Sequence, residues 1–166
     1  MDVRSALKSQ YHAALKTLQE VIQKCPDGMW NDPADSAPFW RVAYHTLFYA
    51  HFYLQQTQEA FRPWARHRDE AQFISSVSRE GDRPPKTCEP FTRVDLLEYC
   101  KECDALIDGG VDALDLSAQQ CGFPWYQMPT LEHQIVNIRH IQHHAAALAS
   151  RLRRSAGIAV NWVRKG

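Results

Sequence analysis

The sequence predicts an all-helical protein, a four-helix bundle with a long connection between its second and third helices and a short extended tail. Three observations carry that prediction. Apolar residues recur at spacings of three and four in four separate stretches, prolines and glycines break the pattern between them, and residues 57–92 show no sustained period at all. Each stretch alone would leave an apolar stripe in water, and packing the four together covers all of them. A chain of 166 residues is long enough for one continuous core, so 1–166 is expected to form a single domain.

The first helix runs from Val3 to about Lys24, with Leu7, Tyr11, Ala14, Leu18, Val21 and Ile22 on one stripe. The segment CPDGMWNDPADSAP breaks it and ends in Ser36 and Pro38, where a hydroxyl can cap and a proline suits a first turn. The second helix therefore reads FWRVAYHTLFYAHFYLQQ. It is apolar nearly all round and is expected to be the most buried element. Residues 57–92 carry charges together with Pro63, Pro84, Pro85 and Pro90, which reads as a crossover able to cover a site, with room for a short helix near Arg68 to Ser76. Thr92 can cap the third helix, whose inward face reads Val94, Leu97, Cys100, Cys103 and Ile107 before Gly109 and Gly110 weaken it. After the loop SAQQCGFPWYQMP, the fourth helix spans Thr130 to about Arg154, with Leu131, Ile135, Ile138, Ala145, Leu148 and Leu152 inward. The tail GIAVNWVRKG alternates, which predicts an extended segment with Ile158, Val160 and Trp162 on one side.

Composition excludes several classes of function. Lysine plus arginine and aspartate plus glutamate total 19 each, so no net field draws the chain to nucleic acid or to an anionic membrane. No apolar run approaches the roughly 20 residues that span a bilayer, and the N-terminal segment is amphipathic, so a soluble, unexported protein is expected. Five cysteines, three of them scattered, do not look like a disulfide framework, and a reducing cytoplasm fits best.

The histidines are the most informative feature. Five of the eight fall in two short segments, His45 with His51 and His140 with His143 and His144. His140 and His144 stand one turn apart on a helix, separated by about 40°, so both can reach one metal ion. His133 and Asn137 share that face, making a polar strip beside the aliphatic one. Two imidazoles need a third donor, since open metal sites take about three protein ligands. His45 is the best candidate, because an unpaired imidazole in a buried helix is costly. His12 and His67 read as surface residues.

The segments NIRHIQHHAAALASRL and FWRVAYHTLFYAHFYL resemble the last and the second helix of the DinB/YfiT-like family of metal-binding four-helix bundles. That resemblance implies an up-down-down-up bundle, frequent homodimers, and a divalent metal held by His45, His140 and His144. Zinc or nickel is the first expectation, with iron or manganese also compatible. His143 matches the other member of the adjacent histidine pair, pointing away from the metal. Many members continue with Arg-Gly-Gln where this chain has Ala145-Ala146-Ala147, so no function tied to that glutamine carries over. The resemblance further implies a metal-dependent enzyme acting on a small molecule, of the thiol-transferase type with a low-molecular-weight thiol. A metal-dependent hydrolase and a non-catalytic stress-response protein are the alternatives.

Other candidates are weaker. A single CxxC, Cys100 and Cys103, inside a helical period reads as core. Tyr44, Tyr49 and His51 carry polar groups that need partners, and some are expected to face the site. For hydrolysis the only nearby general bases are His51, Glu132 and His133. The charged run Arg62 to Glu70 reads as a solvated face, and the 57–92 crossover with the Cys121 to Pro129 loop is expected to wall the entrance.

Overall fold

The computed structural model describes residues 2–74 and 87–166. Within them the chain is all-helical: α1 Val3–Lys24, a short α2 Asp27–Trp30, α3 Phe39–Phe52, a single 3-10 turn Gln58–Ala60, α4 Arg93–Ala113 and α5 Thr130–Ala156. There is no strand among the described residues. Helix α1 packs on α4 and α5, and α3 packs on the same two, so the four long helices close a ring.

Local chemistry starts these helices. Asp2 caps α1 by accepting from the backbone N–H of Arg4 at 3.1 Å and of Ser5 at 3.3 Å. At α4 the predicted Thr92 cap is present as a capping box: Thr92 Oγ1 accepts from Asp95 N–H at 3.1 Å, and Asp95 Oδ2 accepts from Thr92 N–H at 2.9 Å. Ser36 does not cap α3. The preceding residue there is Pro38, as Pro129 precedes α5, and neither makes a side-chain cap bond. A short helix occupies part of the segment read as a break, and Trp30 Nε1 donates to the Phe91 carbonyl at 2.8 Å.

Several inward residues differ from the sequence expectation. The stripe of α1 is buried as predicted. On α4, Val94 is 64 % exposed and Leu96 takes the core position, because the capping box fixes where the helix starts and thereby which residues turn inward. On α5, Ile135 is 48 % exposed, whereas Gln134 and Asn137 are fully buried. The Gln134 amide is matched at both ends, Oε1 accepting from Tyr11 Oη–H at 2.6 Å and Nε2 donating to Tyr53 O at 3.0 Å, and Asn137 Nδ2 donates to Ala50 O at 3.1 Å. Helix α3 stops at Phe52, four residues short of the expected end. Over 68–74 the expected short helix is instead a pair of turns closed by Ala71 N–H to Arg68 O and Phe73 N–H to Glu70 O, and its last two residues lie outside the described ones. The tail lies on α1 without secondary structure, with Ile158 and Val160 against the core and Trp162 72 % exposed.

Gly109 and Gly110 do not end α4, which continues to Ala113. Gly110 is there for space: a Cβ on it would sit 2.7 Å from Cγ and Cδ2 of Leu54, which is 3 % exposed and cannot swing away. A Cβ on Gly109 would meet nothing within 4 Å. Gly110→Ala should therefore destabilise the protein by about 1–3 kcal/mol through overpacking, while Gly109→Ala should stabilise it by roughly 0.5–1 kcal/mol through helix propensity. Thermal unfolding of the two variants measures both, and equal effects at the two positions would contradict the packing argument.

Candidate metal centre

The α3–α5 interface brings the three predicted histidines together. One ring nitrogen from each of His45, His140 and His144 lies within 4.8 Å of the others. Ring centroids are 5.0 Å apart for His45 and His140, 4.7 Å for His45 and His144, and 4.6 Å for His140 and His144. All three are half-buried. Ligand nitrogens about 2.0–2.1 Å from a tetrahedral ion stand roughly 3.3 Å apart, so small rotations suffice for this set to enclose one.

The protonation states follow from the contacts. His45 Nδ1 lies 2.6 Å from the carbonyl oxygen of Gln72. A carbonyl only accepts, so Nδ1 carries the proton and Nε2 presents a lone pair. That Nε2 is 3.0 Å from Nε2 of His140. Burial pushes the His45 imidazole down to about 4, against the opposing pull of the Gln72 bond. Burial, and then His45 and its histidine neighbours, push His140 and His144 down to about 3. All three are therefore neutral near pH 7, the form in which imidazole binds metal. His140 Nδ1 is buried with no hydrogen-bond partner among the described residues. Neutral donors crowded around one point, with two nitrogens at hydrogen-bond distance and no acid among them, fit a divalent cation.

The crossover takes part through its backbone. Arg41, one turn before His45 on α3 and 9 % exposed, donates from Nη1 to the carbonyls of Glu70 and Phe73, both at 3.2 Å. These bonds fasten the chain on either side of Gln72, and so hold the acceptor that orients His45. Tyr49 adds a wall, its ring 4.8 Å from that of His45 and 5.8 Å from that of His140. Nothing in the sequence singled out Gln72, because its contribution is a main-chain oxygen. Tyr49 was legible as one of three residues on this helix, with Tyr44 and His51, whose polar groups need partners and some of which were expected to face the site.

The remaining candidates stand elsewhere. His51 Nδ1 is 3.2 Å from Tyr99 Oη on the α4 side. His133 is fully buried among Tyr53, Phe123 and Tyr126, with ring centroids at 4.9, 4.9 and 5.0 Å, and Glu132 is exposed. None of the three joins the histidine set. His143 is exposed and meets His144 edge-on at 5.0 Å. His12 and His67, read as surface, are half-buried: His12 Nδ1 bonds Asp104 at 2.7 Å, and His67 Nδ1 bonds Tyr44 Oη at 2.6 Å. Cys100 and Cys103 are core, as expected, with thiols directed at the carbonyls of Leu15 and Leu47. All five cysteines are free.

No family model, no curated protein and no solved structure matches the chain. The assignment of this centre accordingly rests on its own geometry.

Depressed imidazoles make stability depend on pH. A histidine with a folded value of about 3 or 4 and an unfolded value of 6.5 binds its proton more readily when unfolded. Its contribution is complete above about pH 6.5 and is lost as the pH falls toward the folded value. Denaturant unfolding of the metal-free protein should show a drop in stability from pH 7 to about 5.5, above the range where carboxylates titrate. His140→Gln should flatten that drop, and an unchanged slope would contradict the assignment.

Proposed function

We propose that this protein binds one divalent metal ion through His45, His140 and His144 and uses it on a small molecule, with a low-molecular-weight thiol as the preferred partner. The observation that carries the reading is the convergence of three neutral imidazole nitrogens from α3 and α5 within 4.8 Å. Zinc or nickel suits an all-imidazole set best, with iron and manganese compatible. Three imidazoles leave the charge of a divalent ion uncompensated, so a bound ion would act as a Lewis acid and lower the pKa of a thiol or of water.

Thiol chemistry is preferred to hydrolysis because hydrolysis needs a positioned base. His51 is engaged with Tyr99, His133 is enclosed by aromatic rings, and Glu132 is exposed. A thiol acting as a nucleophile needs only to lose its proton. The same proposal includes the DinB-like, up-down-down-up arrangement. Its support is pairwise: Arg4 bonds Leu114 O and Cys100 faces Leu15, the tilted rings of Tyr44 and Tyr99 meet and Leu54 meets Gly110, and Arg151 bonds Ala37 O while Asn137 bonds Ala50 O. A cytoplasmic home suits five free thiols, and no helix among the described residues is long and apolar enough to cross a membrane.

Elemental analysis of the purified protein should return one equivalent of metal. Alanine at His45, His140 or His144 should each lower that content, and His143→Ala should retain it. Full retention in any of the first three removes that residue from the centre. The homodimer implied by the family resemblance should give twice the 19.1 kDa chain mass by light scattering, and a monomer mass at micromolar concentration ends that part of the proposal.

A further inference from the structure

An open depression of about 550 Å³ lies on the surface beside the histidine set, and His140 forms part of its wall. Its other polar lining is Tyr126, Arg139, Gln142 and His143. The residues are adjacent by helical register: Arg139 and His143 stand one turn apart on α5, on the flank of His140 that faces away from His144. The depression therefore adjoins one proposed ligand directly and the other through His143, whose ring meets that of His144 at 5.0 Å. Among the described residues that line it, the charge is of one sign. No carboxylate lines it, and the guanidinium of Arg139 has no ion pair or hydrogen bond among the described residues. Arg41 and Arg151, by contrast, are committed to backbone carbonyls.

We propose that this depression binds the anionic end of the substrate, with Arg139 as its partner, and that the substrate is a small molecule bearing a carboxylate. The inference rests on the metal-site reading above and names the substrate class for it. A single guanidinium offers two parallel N–H donors that match the two oxygens of a carboxylate. Phosphate sites instead gather several backbone N–H groups or several cations, which this depression lacks among the described residues. Gln142 and Tyr126 can complete the polar contacts, and Val136 gives the carbon chain an apolar wall.

Two measurements test the inference separately from its premise. In the first, propionate alone is titrated into metal-free protein and the side-chain amide of Gln142 is followed by NMR. A saturable shift is expected in the wild type and not in Arg139→Gln, with Arg139→Lys partly retaining it. Absence of a shift in the wild type, or an equal shift in Arg139→Gln, overturns the anion site whatever the metal does. Stronger saturation by inorganic phosphate than by propionate overturns the carboxylate assignment. In the second, cobalt-loaded protein is titrated with 3-mercaptopropionate and with its methyl ester, in which a methyl group replaces the carboxylate charge. At low salt the acid should perturb the cobalt spectrum at concentrations about fivefold lower than the ester, and Arg139→Gln should abolish that preference. A preference that survives in Arg139→Gln overturns the role of Arg139. Failure of the wild type to take up cobalt instead removes the metal reading and leaves the propionate result to decide the anion site by itself.

Discussion

The α3–α5 interface must bury polar side chains, and the way it matches them fixes where everything else can stand. Helix α3 ends at Phe52; the carbonyls of Tyr49, His51 and Phe52 accept from the N–H groups of Tyr53, Leu54 and Gln55, and those of Ala50 and Tyr53 face α5. Two amides from α5 satisfy them: Asn137 Nδ2 donates to Ala50 O at 3.1 Å and Gln134 Nε2 donates to Tyr53 O at 3.0 Å. A slide of α5 by one turn would leave both carbonyls and both amides unpaired in a buried interface, at roughly 1–3 kcal/mol for each group. The amides thus set the register. Going up the same face by three residues from Asn137 and down α3 by five from Ala50 brings His140 and His45 to 3.0 Å.

The histidine cluster is thus a consequence of helix capping as much as of its own residues, and it is tied to a third element. His45 has its tautomer fixed by Gln72, and Gln72 is held in place by the bonds of Arg41 to Glu70 and Phe73. Residues 45 and 41 are one turn apart on α3, so a single helix carries both the imidazole and the clamp for the backbone that orients it. Such outer contacts commonly alter metal affinity about 10- to 100-fold, because they decide how often the ligand points correctly. His140 differs in having an Nδ1 unpartnered among the described residues, which makes the two imidazoles unequal in basicity and in freedom to rotate.

Much of this was legible in the sequence, and the rest was hidden for definite physical reasons. Apolar spacing located the long helices and kept the CxxC in the core, and histidine spacing singled out the three residues that converge. Spacing could not say that Gln134 and Asn137 replace Ile135 on the inner face. An amide is apolar enough to bury once its bonds are made, and those bonds lie on other helices. Val94 failed for a related reason: a capping box sets the rotation of α4, and one residue of shift turns its face by about 100°. Gln72 was invisible because its part is played by a carbonyl that every residue possesses, delivered by a segment without a period. His67, taken for surface, is drawn in by Tyr44, a partner two elements away in sequence.

The distribution of sulfur and nitrogen donors bears on the chemistry. Cys25, Cys100, Cys103 and Cys121 are buried, and burial pushes Cys25 up to about 11 and Cys100 up to about 12. The thiols of Cys25, Cys100 and Cys103, all raised by burial, are protonated near pH 7 and supply neither a nucleophile nor a metal ligand. The imidazoles show the opposite response to the same burial: it removes their charge and leaves a lone pair available. One low-dielectric interior thereby silences those cysteines and readies the histidines. Any thiol reacting at such a centre would have to come from solution, and the carbonyl of Gln72 already occupies the Nδ1 side of His45.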